Sequence, residues 1–384
     1  MIFDKIIGNE RPLSWALSFW PVITAGFVGS FAATWLCKKI AIRLGIVDKP
    51  DNLVKTHKEP VAYLGGIGIF FGLSVGILAG LYSLKDEVFF PTAFRWLLGI
   101  LAGGAIACFI GVVDDILDIK PIQKIGGQVV AAVALILAGV LPDFVAVANF
   151  LNWDAPQSLN LILGVPFVII IVLGSTNSLN LLDGLDGLCA GVTAIIGIAM
   201  LLLSVHLATW MTGETSEFAD PIRVIICLSL IGGVFGFLPF NRHPAKIFMG
   251  DAGSMLLGFM IAALFVLFAN QGPRWLMASL IVFGLPILDT ATALVRRAIS
   301  KKPLFVSDRG HVYDQMIDRG MSLNKTVAIC YALTGIYAVI GLITSQIKGR
   351  YTPIVMIIVF AISAIVIWKK GFLEMEGLRG ARKK

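Results

Sequence analysis

Two aspartates stand side by side at the end of an apolar run. Residues 111–121 read G-V-V-D-D-I-L-D-I-K-P, and the stretch from Trp96 to Gly111 is almost wholly apolar. Adjacent carboxylates repel, and a helix C-terminus already favours cations. Asp114 and Asp115 therefore call for a positive partner. Asp118 lies one turn on, and Lys120 and Lys124 follow. Such a group suits a divalent cation or a phosphate, with a lysine as the phosphate clamp. Mg²⁺ prefers this chemistry, taking a few carboxylates plus the phosphates of its substrate. The plainer alternative is a solvated turn at a membrane boundary, with Asp118 facing water.

Four more stretches carry polar chemistry between apolar runs. Residues 177–188 read N-S-L-N-L-L-D-G-L-D-G-L. Asn177, Asn180, Asp183 and Asp186 recur every third residue, a spacing that places side chains on one helical face. Gly184 and Gly187 permit a break or a close backbone approach. Residues 240–254 read F-N-R-H-P-A-K-I-F-M-G-D-A-G-S and hold Asn241, Arg242, His243, Lys246 and Asp251. Asp251 could cap the helix that starts there, and helix N-termini also attract phosphate. Residues 308–314 read D-R-G-H-V-Y-D, where Arg309, His311 and the flanking aspartates could clamp a pyrophosphate. Residues 56–66 read T-H-K-E-P-V-A-Y-L-G-G, and His57 and Lys58 could touch a nucleotide. Against each stands a bland reading: hydrophilic loop, helix cap, or basic topology signal.

The elements that position these residues follow from composition. The chain has 384 residues, 57% hydrophobic and only 14% charged. A soluble domain is about a quarter charged, so the expected class is all-α, a polytopic integral membrane protein in a single domain over 1–384. Apolar segments of spanning length fall at roughly 15–37, 61–84, 92–113, 124–141, 159–176, 187–211, 221–239, 253–270, 274–294, 326–347 and 352–368. That is about eleven helices, and no strands are expected. With the N-terminus outside and the C-terminus cytoplasmic, 23 of the 31 Lys and Arg residues lie inside, including a basic tail over 369–384, as positive-inside topology requires. On that map Asp114, Asp115, Asp183, Asp186, Asp251 and Asp289 share the cytoplasmic level. Carboxylates there are costly unless paired, hydrated or bound to a cation, which implies one shared active site at the cytoplasmic face. The five cysteines lie in or beside apolar runs without a C-x-x-C pair and read as core residues. A cleaved signal peptide is not expected, because no basic region precedes the first apolar run.

Taken in this order, the motifs resemble the polyprenyl-phosphate N-acetylhexosamine-1-phosphate transferase family over about residues 50–322. The set D-D-x-x-x-x-x-x-x-x-K, N-x-x-N-x-x-D-G-x-D-G-L and N-x-x-P-A-x-x-F-M-G-D carries the resemblance. H-K-E-P-V-A-Y-L-G-G and the eleven spans look nearer the bacterial undecaprenyl-phosphate GlcNAc-1-phosphate members than the phospho-MurNAc-pentapeptide enzymes. The resemblance implies a UDP-N-acetylhexosamine donor, an undecaprenyl phosphate acceptor, Mg²⁺ (or Mn²⁺) as cofactor and a multi-pass location in the bacterial inner membrane. It implies no nucleic-acid partner, and either a monomer or a homodimer among membrane lipids. Asp114 and Asp115 match the family's aspartate pair, and Lys124 its phosphate-contacting lysine. Asn180 and Asp251 match positions that bind Mg²⁺. Asp183 and Asp186 share the polar face with Asn177. Asn241 and Phe248 match positions holding the uracil or its ribose, and Lys58 and Arg309 would face the nucleotide. Family members carry several histidines where this chain has His311-Val312-Tyr313-Asp314, so His311 alone would serve the sugar or pyrophosphate.

The implied reaction is phosphoryl transfer, which needs in-line positioning and charge neutralisation more than covalent help. Asp115 and Asp251 would then belong to the metal site or its surroundings, and Asp114 would orient or deprotonate the lipid phosphate. Two rival classes use the same residues differently. An intramembrane prenyltransferase would read Asp114-Asp115-x-x-Asp118 and Asp183-x-x-Asp186 as diphosphate sites, leaving Asp251 unexplained. An ion-coupled transporter would place its polar groups near mid-membrane, not at one face.

Overall fold

The structure, a computed structural model, describes residues 10–48, 60–145, 148, 154–210, 220–301 and 310–373. Lys58 and Arg309 lie outside the described residues, as do His57 and Asp308. The helices are α1 (Glu10–Ser18), α2 (Trp20–Leu44), α3 (Gly65–Ser83), α4 (Phe90–Leu117), α5 (Pro121–Leu137), α6 (Leu159–Leu182) and α7 (Leu188–Trp210). There follow α8 (Asp220–Asn241), α9 (Gly250–Ala269), α10 (Pro273–Val282), α11 (Gly284–Ile299), α12 (Val312–Asp318), α13 (Leu323–Thr344) and α14 (Thr352–Lys369). Proline at the first turn of α2, α4, α5, α10 and α14 fits positions whose N–H has no helical partner.

Among the described residues nine helices are long and apolar enough to cross a membrane, ten if the bent α10–α11 pair is one span. The protein is an all-α polytopic membrane protein. The apolar segment expected at 124–141 is the short helix α5, and the one expected at 274–294 is broken by a 72° bend between α10 and α11. At the bend Gly284 lies against the Tyr337 ring, where a side chain would collide.

One correction concerns strands. Val47–Asp48 (β1) pairs antiparallel with Val61–Ala62 (β2), and Ala62 bridges to Ile247. These short pairings lie outside the long helices, where loop backbone must find partners of its own. They carry the chain across the end of the bundle: Phe248 N–H donates to Ala62 O at 2.9 Å, and Gly65 and Gly66 N–H donate to Phe248 O and Met249 O at 3.0 Å each.

Burial sorts the helices. Helix α9 is almost wholly buried, whereas the stretch 349–369 that holds α14 is mostly uncovered, so α9 is the central post and α14 faces the lipid. Close packing around the post uses small residues, as expected where lipid removes the hydrophobic drive between helices. On α3, Gly68 faces Thr34, Gly72 faces Ser30, Gly76 faces Ser229 and Gly80 faces Ile225, each too near to admit a methyl group. Thus α3 lies flat against α2 and α8.

The N-terminus of α9 is wedged the same way. A side chain at Gly66 would strike the backbone of Ala252 and Gly253, and one at Gly111 would strike that of Asp251 and Ala252. Gly111 stands one turn before Asp115 on α4, so its lack of a side chain lets the aspartate pair reach α9. Gly111→Ala is expected to lower turnover at least about 100-fold, since a misplacement near 1 Å costs about that much. Gly126→Ala on α5, with nothing within 4 Å of the new methyl, is the control and should stay within about twofold of wild type; surface changes of this kind are nearly neutral. Equal activity in both variants would remove the wedge from the argument.

Candidate active site

The C-terminal ends of α4, α6 and α8 and the N-terminal ends of α5 and α9 meet at one end of the bundle. Helix α4 runs on to Leu117, so Asp114 and Asp115 sit in its last turns rather than beyond it. Consecutive helical residues point about 100° apart, and the two carboxylates accordingly face different neighbours. Asp114 Oδ2 accepts from Lys124 Nζ at 2.9 Å, and its Oδ1 accepts from the Ile119 N–H at 3.1 Å. Asp115 faces α9: Oδ1 accepts from the Asp251 N–H at 2.8 Å and Oδ2 from the Ala252 N–H at 3.2 Å. The adjacent aspartates therefore have separate positive partners, an ammonium and a helix N-terminus.

Lys124 is the hub. Its Nζ also donates to Asn180 Oδ1 at 3.1 Å and contacts Asp251 Oδ2. Asn180 reaches across with its other end, donating from Nδ2 to Asp251 Oδ1 at 2.7 Å and to Ser254 Oγ at 3.0 Å. Three oxygens, from Asp114, Asn180 and Asp251, thus converge on one cationic point. The sequence anticipated these four residues; it gave no role to Ser254, one turn after Asp251, which closes the ring on α9.

Asp183 lies just past the end of α6, half-buried. Loss of solvent, then the negative charges of Asp251, Asp115 and Asp186, pushes its carboxyl well above the usual carboxylate range. The carboxyls of Asp114 and Asp251 meet the Lys124 ammonium, with Asp115 and Asp183 beside them, and these oxygens suit a hard cation with bound phosphates. Among the described residues no group of three His, Cys, Asp or Glu side chains forms a ready-made metal cage.

The structure reassigns several expected site residues. Asp251 does not cap its own helix; Asp115 does so from α4. Asp186 faces the 242–246 loop, where Oδ2 meets His243 Nδ1 at 2.7 Å and accepts the Ala245 N–H at 3.1 Å. The i, i+3 pattern fails there because α6 ends at Leu182 and the chain turns at Gly187, φ +75°. Asn177 turns away from the hub and donates from Nδ2 to Gln128 Oε1 at 3.0 Å and to Leu173 O at 2.8 Å. Asn241 is buried with both ends engaged: Oδ1 accepts the Gly187 N–H at 3.1 Å and Nδ2 donates to Ile247 O at 3.1 Å. It stitches the 183–187 turn to the 242–249 loop rather than presenting free polar atoms. Phe248 stands edge-on to Tyr63 with ring centres 6.0 Å apart; Tyr63 had no role in the sequence reading, though it sits within the 56–66 motif. Asp118 is exposed at the end of α4, as the solvated-turn reading has it. Asp289 does not share the hub; it faces His311.

The match to known proteins follows this geometry. The model of glycosyl transferase family 4 matches residues 97–269, the stretch running from α4 through α9. A decaprenyl-phosphate N-acetylglucosaminephosphotransferase of Mycobacterium tuberculosis (strain ATCC 25618 / H37Rv) is 32% identical over 333 residues, covering 82% of this chain and 80% of its own. The chain belongs to glycosyl transferase family 4, the polyprenyl-phosphate N-acetylhexosamine-1-phosphate transferases. Two further relatives bracket it. A probable undecaprenyl-phosphate N-acetylglucosaminyl 1-phosphate transferase of Bacillus subtilis (strain 168) is 29% identical over 353 residues, with 90% and 88% covered. A phospho-N-acetylmuramoyl-pentapeptide-transferase of Acetivibrio thermocellus is 28% identical over 305 residues, with 78% and 86% covered. Family membership decides against the prenyltransferase and the transporter. The hub of this family 4 transferase draws all four of its residues from inside the matched stretch; His311 and Asp289 lie beyond it.

Proposed function

We propose that this family 4 transferase moves N-acetylglucosamine-1-phosphate from UDP-GlcNAc to undecaprenyl phosphate, releasing UMP. The relatives named for polyprenyl-phosphate N-acetylglucosamine transfer support the substrate pair. The observation that carries the chemistry is the convergence of Asp114, Asn180 and Asp251 on Lys124 Nζ. Two anionic substrates must meet in this reaction, and a fixed cation held among oxygens is where they can.

An oxygen of the lipid phosphate attacks the sugar-side phosphorus of the UDP-sugar. The new P–O bond forms as the bond to the UMP oxygen breaks, and that electron pair leaves with UMP. Lys124, held by Asp114 and Asp251, supplies fixed positive charge where the phosphates crowd. Asp114 orients the attacking phosphate through Lys124. A phosphate monoester has a second pKa of about 6 and is largely ionised at neutral pH, so orientation counts for more than proton removal. Asp115 holds the N-terminus of α9 so that Asp251 meets its partners. Asp183, whose carboxyl pKa is pushed upward by burial and its neighbours, offers an oxygen that a divalent cation could draw into the ionised form.

The residues fit Mg²⁺. The donors are all oxygen, and two or three side chains leave room for substrate phosphates, as Mg²⁺ prefers. Asp251 and Asn180 would hold it, and when bound it supplies charge neutralisation and orientation at the pyrophosphate. Phe248 and Tyr63 offer the aromatic surface for uracil; Lys58 and Arg309 are proposed for the nucleotide on motif alone. The basic bias of alternate segments supports an eleven-span reading with the N-terminus outside, the C-terminus and site cytoplasmic, and the protein in the bacterial inner membrane, where it starts a cell-envelope glycan.

The test is UMP release by purified protein with undecaprenyl phosphate and UDP-GlcNAc, UDP-GalNAc or UDP-MurNAc-pentapeptide. The expected result is UMP from UDP-GlcNAc, dependent on lipid and Mg²⁺ and abolished by EDTA. UMP from another donor alone would overturn the sugar. No UMP from any donor, with protein shown folded, would overturn the reaction.

A further inference from the structure

Asp289 lies on α11, 1% exposed, inside the apolar run L-P-I-L-D-T. A buried carboxylate is costly unless its oxygens are engaged. Here both are. Oδ2 meets His311 Nδ1 at 2.8 Å, and Oδ1 accepts the Val312 N–H at 2.8 Å. His311 is itself buried at 5% and stacks on Tyr313 at 5.5 Å between ring centres, 8° from parallel. Tyr313 donates from its hydroxyl to Leu181 O at 2.8 Å and lies against Gly184. That turn carries Asp183, so Asp289, His311 and Tyr313 form a buried bracket against the wall of the site. From the far side, Gln315 Nε2 donates to Gly310 O at 2.9 Å. Among the described residues, the ring is held through Nδ1, and Nε2 is the nitrogen left for a substrate.

We propose that Asp289 is a positioning residue of the transfer reaction: its carboxylate holds Nδ1–H of His311 and so directs Nε2–H to a phosphate oxygen of the substrate. This rests on the transferase reading and extends it to a residue outside the family motifs. A carboxylate behind an imidazole fixes its tautomer and ring orientation and raises its basicity. Burial alone pulls the His311 pKa down; the hydrogen bond and charge of Asp289, then the charge of Asp314, outweigh it, Arg296 opposes, and the net shift is upward. Among the described residues, Asp289, Asp314 and Arg296 are the charged groups that act on the ring. The protonated ring then donates from Nε2.

The experiment measures UMP release against pH for wild type, Asp289→Asn, His311→Ala and the double variant, each checked for folding by thermal unfolding. Activity requiring the imidazolium falls as pH rises through the His311 pKa. Without the carboxylate that pKa drops, so the alkaline limb of the Asp289→Asn profile moves to lower pH. Titration of the lipid phosphate is common to all four and cancels in the comparison. At neutral pH, Asp289→Asn is expected to lower kcat/KM about 10–100-fold, the usual cost of losing such a partner. Residues acting as one unit are not additive, so the double variant should match His311→Ala within about twofold. Asp289→Glu should restore part of the loss. An unmoved alkaline limb, or losses that multiply in the double variant, would overturn the positioning role. Wild-type activity in His311→Ala would overturn it as well. Absence of UMP release by the wild type would instead sink the transferase reading beneath it.

Discussion

Asp251→Ala is expected to lower UMP release at least about 1000-fold while the protein stays folded. A thousandfold loss is about 4 kcal/mol of transition-state stabilisation, and three changes at one point supply it. Lys124 loses a partner for its ammonium, the Asn180 amide loses the acceptor at 2.7 Å, and the proposed metal loses its one carboxylate from α9. The fold should survive because Asp251 anchors nothing beyond the site; Asp115 caps α9 through the backbone N–H of residue 251, which alanine retains. The measurement is UMP release across a Mg²⁺ titration, with thermal unfolding alongside. A rate that stays low at every Mg²⁺ concentration, with an unchanged unfolding temperature, fits the role. Residual activity above a few per cent would count against Asp251 in the metal site.

How much of this was legible without coordinates depends on which physics was in play. The long apolar helices were, because a span must carry about twenty apolar residues in a row and no other soluble or barrel pattern looks like that. Their ends were not. The spans expected to end at 113 and 176 run on to Leu117 and Leu182, carrying Asp114, Asp115, Asn177 and Asn180, since a helical backbone satisfies its own hydrogen bonds whatever the side chains face. The places of Lys124 and Asn180 came from the family resemblance; that Asp114 and Asp251 share a site was legible from their common topological level. The division of labour between Asp114 and Asp115 was not, because composition cannot tell two adjacent aspartates apart; only their 100° separation around α4 does. Asp186 and Asn241 show the opposite failure. Asp186 was expected among the catalytic residues and Asn241, through the resemblance, at the uracil or its ribose; turns have backbone groups of their own to satisfy, and both side chains meet that need by tying the 183–187 turn to the 242–249 loop. Asp289 was grouped with the carboxylates of the shared site, and its actual partner, His311, 22 residues on, was not legible.

Asp115→Ala is the second large loss expected, and it should differ in kind from the first. Its carboxylate accepts two backbone N–H groups at the start of α9, at 2.8 and 3.2 Å, and hydrogen bonds to a charged acceptor contribute about 1.5–3 kcal/mol each. Removing it leaves two donors of the most buried helix without their acceptor and releases the strand of backbone that places Asp251. The unfolding temperature should fall, and turnover should fall at least about 100-fold, the cost of displacing a reacting geometry by about 1 Å. The neighbouring change Asp114→Asn separates placement from chemistry. Asparagine keeps an acceptor for the Ile119 N–H but gives up the charge facing Lys124. Turnover should drop with the unfolding temperature and the KM for UDP-GlcNAc nearly unchanged. Two adjacent carboxylates would then report through different instruments, one through stability and rate together, the other through rate alone. If Asp115→Ala unfolds no earlier than Asp114→Asn, the capping of α9 is not what that carboxylate contributes, and the pair would have to act as a single site after all.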